Sequence, residues 1–160
     1  MSFINIGTGV GDAWEAPLAS TFVVDVDGTT IGHFTEVQGL QLEIETETIE
    51  EGGVNSFVHT VPGRMKWPNI TLKRGITDSD ALFNWMEESS GDGFAKNGNK
   101  VTRSTMGITL LAPDGSALRE WSVEGALPVK WSGPTFAASD DDVLSEELEI
   151  AHRGFKSESF

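Results

Sequence analysis

Residues 41–63 read Gln41-Leu42-Glu43-Ile44-Glu45-Thr46-Glu47-Thr48-Ile49-Glu50-Glu51-Gly52-Gly53-Val54-Asn55-Ser56-Phe57-Val58-His59-Thr60-Val61-Pro62-Gly63. Successive side chains of a strand point to opposite faces. From Gln41 to Ile49 this sets Leu42, Ile44, Thr46 and Thr48 on one face and Gln41, Glu43, Glu45 and Glu47 on the other. The pattern predicts a strand with one buried face and one acidic face. Gly52-Gly53 and Asn55 interrupt it, Val54 to Val61 resumes it and Pro62-Gly63 ends it, which predicts a long hairpin.

The same period extends outward in both directions. Upstream, Phe22, Val24 and Val26 alternate with Val23, Asp25 and Asp27, and Asp27-Gly28 supplies the positive φ of a tight turn into a second strand through Ile31 to Val37. Downstream, Ile70 and Leu72 predict a strand that also carries Lys73 and Arg74. One helix is expected over about Ser79 to Glu88: Thr77 and Asp80 fit a capping box, Leu82, Phe83, Trp85 and Met86 form an apolar stripe, and Ser89-Ser90-Gly91 stops it. A loop then runs through Lys100. Met106, Ile108 and Leu110 pair through Pro113-Asp114-Gly115 with Leu118 to Val123, a short strand covers Leu127 to Trp131, and Leu144 to His152 is the last strand expected. Residues 1–19 hold no period and read as an irregular arm, leaving residues 20–160 as one domain.

With 11 Lys and Arg against 25 Asp and Glu, the formal net charge is −14. Nucleic-acid surfaces neutralise phosphates with basic groups, so no direct sequence-specific nucleic-acid binding is expected. The chain has no cysteine, which removes disulfides, thiolate metal sites and a cysteine nucleophile. No run of 18 apolar residues occurs, so no membrane-spanning helix is expected, and Met1 to Gly7 lacks the pattern of a secretory signal, giving an expectation of synthesis in the cytoplasm.

Candidate chemistry is sparse. His33, His59 and His152 lie far apart, and Glu149 and His152 would point to opposite faces of a strand. Gly7-Thr8-Gly9-Val10-Gly11 has no preceding strand to frame a phosphate loop, and Asp25-Val26-Asp27-Gly28 lacks the distal glutamate of a calcium loop, so a hairpin turn is the better reading. Asp92, Asn97, Asn99 and Asp140 to Asp142 could gather around a cation, but solvated loops account for them without any ligand and are the better reading. Trp67, Trp85, Trp121 and Trp131 could form a sugar-stacking platform, although tryptophans at strand and helix positions usually fill cores or interfaces. The expectation is a protein that is not an enzyme and needs no cofactor or metal. Charge sign is segregated along the chain: Glu36 to Glu51 holds only acids among its charged residues, whereas Arg64, Lys66, Lys73 and Arg74 cluster, as suits complementary surfaces between copies.

Gly52 to Ile76, with Pro62-Gly63-Arg64 and Lys66-Trp67-Pro68, resembles the central signature of contractile-tail tube proteins. The resemblance begins at Phe22 to Gly28 and Ile31 to Leu40 and closes at Glu147 to His152, covering about Ser20 to Phe155. It implies a mainly β fold of two packed antiparallel sheets forming a small barrel or sandwich, with one flanking α-helix and a long hairpin. It also implies homo-hexameric rings that stack into a hollow tube, surrounded by a contractile sheath, joined to baseplate or spike-hub and tube-terminating proteins, and carrying luminal cargo in a phage tail or a phage-tail-like injection particle.

Carried onto this chain, the hairpin that reaches an adjacent ring corresponds to Glu45, Glu47, Ile49, Glu50, Glu51, Gly52, Gly53, Val54, Asn55, Phe57 and His59. Arg64, Lys66, Lys73 and Arg74 are the expected charges between subunits, and Glu43, Glu45, Glu47, Glu147 and Glu149 the expected lumen or interface acids. The alternative from another class is a secreted effector carrier or a carbohydrate-binding β-module.

Overall fold

A computed structural model describes residues 21–50, 52–53, 58–134 and 144–159. The arm at residues 1–19, the hairpin positions Glu51, Val54, Asn55 and Phe57, and Asp140 to Asp142 lie outside the described residues. Ten strands are described: β1 (Thr21–Val26), β2 (Thr29–Phe34), β3 (Glu36–Gln38), β4 (Glu43–Ile49), β5 (His59–Lys66), β6 (Ile70–Gly75), β7 (Ser104–Leu111), β8 (Ala117–Ser132), β9 (Ser145–Ala151) and β10 (Phe155–Ser159). Two helices, α1 (Ala81–Ser89) and α2 (Gly91–Lys96), lie between β6 and β7.

Seven strands follow one hydrogen-bonded path, β2-β1-β7-β8-β9-β6-β3, with β10 added to β8, and all the pairings are antiparallel. The path does not return on itself, so of the two expected forms the sandwich is the one found and the barrel is not. The fold turns on β8, whose first half pairs with β7 and β10 and whose second half pairs with β9. Its register against β7 shifts opposite Glu124 and Gly125, where Gly125 takes φ 63°. An extra residue in one strand sharpens the local twist, which bends β8 from one sheet into the other. The sequence pattern reads the two halves as separate strands because this bulge interrupts the alternation.

The inward positions of the two sheets form one core. Val24, Phe34, Ile70, Leu72, Ile108, Leu148 and Ile150 are completely buried, and Leu82 and Trp85 of α1 close it from one side. Each such side chain contributes about 1.5–3 kcal/mol through removal from water. The Asp27-Gly28 turn forms as expected, with φ of 50° and 82°. Asp27 also accepts the Thr105 N–H through Oδ1 at 2.9 Å, tying the turn to β7.

Three local expectations need correction. The capping box at Thr77 and Asp80 does not form: Asp80 makes no side-chain cap bond, and Thr77 accepts the Ser79 N–H at 3.2 Å. The segment after Gly91 is not all loop, since α2 follows α1 directly. Its glycines conceal it from propensity, yet a Cβ at Gly93 would overlap the α1 backbone at Glu87 and Glu88, so the close approach of the two helices requires glycine there. Finally, β9 is followed by β10, whose polar Lys156-Ser157-Glu158-Ser159 gives little apolar signal.

Gly39 takes φ 84°, and a Cβ there would overlap the Asn69 carbonyl oxygen. Gly39→Ala is therefore expected to cost at least about 1–3 kcal/mol from backbone strain, visible as a lower melting temperature. An unchanged melting temperature would contradict the close approach of the β3 exit to the start of β6.

Candidate assembly surfaces

The β4–β5 hairpin forms its own two-stranded sheet, outside the main hydrogen-bonded path. All the residues of both strands are exposed. The alternation read from the sequence is present, but the expected burial of one face within the chain is not: Ile44 is 48% and Met65 56% exposed. The second expected boundary also moves, since β5 continues through Pro62-Gly63 to Lys66. A bulge makes this possible. Ile44 pairs with Met65 and Thr46 with Pro62, so Glu45 alone faces both Gly63 and Arg64. Proline and glycine are tolerated at such an irregularity, where a ladder hydrogen bond is already lost.

Directly opposed residues share a face. Glu43 opposes Lys66, Glu47 opposes Val61 and Ile49 opposes His59. Lys66 forms an ion pair with Glu45, and this hydrogen bond and charge raise the lysine pKa above its ordinary value. Thus Lys66 and Arg64, both expected as charges between subunits, sit on the hairpin itself beside its acids.

Lys73 and Arg74 do not act together. Lys73 lies on the outer face of β6, 3.6 Å from Glu147 of β9. Arg74 is only 3% exposed and points into the fold, which corrects its expected role as a charge offered to another subunit. Its Nε donates to Glu146 Oε1 at 2.5 Å, and its terminal nitrogens donate to the Ile31 and Ser79 carbonyls at 3.3 and 3.2 Å. The guanidinium carbon also stands 5.4 Å from the centroid of the Phe34 ring. Glu146 accepts Trp131 Nε1–H at 3.2 Å through its second oxygen. One buried ion pair thereby connects β2, β6, β8, β9 and the approach to α1.

On the outer face of β3, β6, β9 and β8, one row runs Glu36, Lys73, Glu147 and Ser132, and the next runs Gln38, Thr71, Glu149 and Lys130. Glu149 accepts Asn69 Nδ2–H at 2.8 Å. Glu147 and Glu149 therefore belong to a face of mixed charge and not to an acidic wall. The outer face of β8 and β10 carries acids that the sequence reading did not single out: Glu120 directly opposes Glu158, while Glu124 lies 3.7 Å from Lys156. Their even spacing along β8 was the available signal.

The other candidate groups have internal roles. His152 Nδ1 accepts the Gly154 N–H at 3.1 Å, so Nε2 carries the proton and donates to the Pro68 carbonyl at 2.8 Å. Trp67 packs against Phe155 and His152, Trp131 against Phe83, and Trp85 lies in the core. These tryptophans do not form one exposed platform. Among the described residues no group of three His, Asp or Glu side chains could hold a metal ion, and no helix is long and apolar enough to cross a membrane.

Residues 18–156 match the family model described as T4-like virus tail tube protein gp19. No curated protein sequence matches the chain. Among solved structures, a chain in the PVC sheath/tube terminator of an extracellular contractile injection system is 26% identical with a TM-score of 0.73, covering 92% of this chain and 100% of that one. A chain in the PVC sheath–tube complex is 24% identical with a TM-score of 0.75, covering 93% and 95%. A chain in the anti-feeding prophage tube-terminating cap is 21% identical with a TM-score of 0.75, covering 99% and 100%.

Proposed function

This chain belongs to the T4-like virus tail tube protein family, and from that premise we propose that it forms six-membered rings which stack into the hollow inner tube of a contractile particle. The protein is a tail tube protein, the structural subunit of the inner tube of a contractile injection system or a contractile phage tail. In the proposed mechanism a surrounding sheath contracts, the tube is driven through a target envelope and cargo passes along its bore. Baseplate or spike-hub proteins begin the tube and a terminator ends it. The role requires no bond-making residue, so the chain acts as a conduit and not as an enzyme. Assembly takes place in a phage tail or a phage-tail-like injection particle after synthesis in the cytoplasm.

The observation that carries this reading is the β4–β5 hairpin, a two-stranded sheet that, among the described residues, pairs with no other strand and holds apolar side chains about half exposed. A two-stranded sheet alone in water is marginal, so such an element gains stability when another surface covers it. Open strand edges act similarly, because joining them between copies around a closed ring satisfies their backbone groups. Native mass spectrometry over a concentration series tests the ring: a discrete six-subunit species is expected. Persistent monomer, both alone and with a tube-initiating particle, would contradict it.

Lys73, with its partner Glu147 on an outer face, remains the candidate for charge between subunits. Lys73→Glu is expected to slow assembly more at low than at high salt, since exposed charges are screened beyond a Debye length. Light scattering during assembly measures the difference. Equal slowing at both salt concentrations would remove charge as the cause.

A further inference from the structure

We infer that the hairpin docks on a second copy of this chain through its uncharged face, with Glu43, Glu45 and Glu47 left in water. The inference rests on the reading of the hairpin as a contact between copies, and adds which face makes that contact. Ile44 opposes Met65, Thr46 opposes Pro62 and Thr48 opposes Thr60, so these pairs share one face. By the alternation of the two strands, Leu42 and Val58 extend it at either end. Their exposures are 47% for Leu42, 48% for Ile44, 54% for Val58 and 56% for Met65. The described residues of this face include no ionisable group.

The opposite face has a different composition. It bears Glu43, Glu45 and Glu47, with Lys66 already engaged by Glu45 and Arg64 in the bulge. Val61 and Ile49 also lie there, but Val61 opposes Glu47 and Ile49 opposes His59. Covering this side would remove three carboxylates from water, and Glu43 and Glu47, which lack the lysine partner of Glu45, would each cost effectively several kcal/mol. A second copy compensates only where one of its few cations meets these acids, since it carries 11 Lys and Arg against 25 Asp and Glu. The uncharged face has no such penalty and gains about 25 cal/mol for each Å² of apolar surface removed from water. Charge thus excludes one side of the hairpin, and the hydrophobic effect favours the other.

A chain without cysteine permits a direct test. Single variants Met65→Cys and Glu47→Cys are labelled with a maleimide before and after assembly into rings and tubes. Labelling at position 65 is expected to slow by at least about tenfold on assembly, as for a thiol that loses solvent access, with less than about a twofold change at position 47. Protection at 47 with continued reactivity at 65, or equal labelling at both, would overturn the choice of face. A variant shortened between Glu50 and Ser56 separates this from failure of the underlying reading: normal tubes from that variant would remove the hairpin contact itself and the inference with it. As a second check, Ile44→Ser with Met65→Ser should impair assembly, while Glu43→Gln with Glu47→Gln should not. Unchanged circular dichroism verifies that each variant folds, and the reverse pattern of assembly would again overturn the choice of face.

Discussion

Shortening the segment from Glu50 to Ser56 is expected to abolish tube growth while leaving a soluble, folded subunit. The core explains the second half of that expectation: its completely buried residues, from Val24 to Ile150, lie on the main sheets and α1, and β4 and β5 contribute none of them. The hairpin is a separate two-stranded sheet, so its reach can be reduced without opening the sandwich. Its apolar residues are exposed, and in the proposed tube a neighbouring copy would cover them. Circular dichroism and thermal melting should match those of the parent, whereas pelleting and electron microscopy should show no tubes. Tubes of normal length from the shortened chain would remove the hairpin from the assembly account.

The largest loss of subunit stability is expected from Glu146→Ala. Arg74 would then be buried without its carboxylate, and Trp131 Nε1–H would lose its acceptor. Breaking one side of a buried pair costs about 3–5 kcal/mol. For a domain of this size, that corresponds to a fall in melting temperature of roughly 6–20 °C. The paired replacement Arg74→Met with Glu146→Leu should cost less than Glu146→Ala, because it removes both charges and leaves apolar volume in their place. Thermal unfolding of the two variants decides the matter. Equal melting temperatures for Glu146→Ala and the parent would show that the pair does not organise the core.

The β pattern was legible because alternation is strong where one sheet face is buried: Phe22-Val24-Val26 and Ile70-Leu72 each point inward as expected. The hairpin pattern was legible too, but its burial was not, since Leu42 and Ile44 alternate with acids as core residues would and yet are about half exposed. Arg74 neighbours Lys73 in sequence, but strand parity places it with Ile70 and Leu72. The same parity sets Glu146 with Leu148 and Ile150. Charge suggests an exposed position for each group, whereas in the fold the ion pair lets both stay on the buried face. The short α2 and the polar β10 were missed for a different reason. Their positions depend on packing against α1 and pairing with β8, neither of which leaves a strong local pattern.

A tail tube subunit must build a tube. Negative-stain electron microscopy of the concentrated protein, alone and with a tube-initiating particle, tests it most directly. Hollow tubes built from stacked six-fold rings are the expected result; dispersed monomers under both conditions would contradict the account.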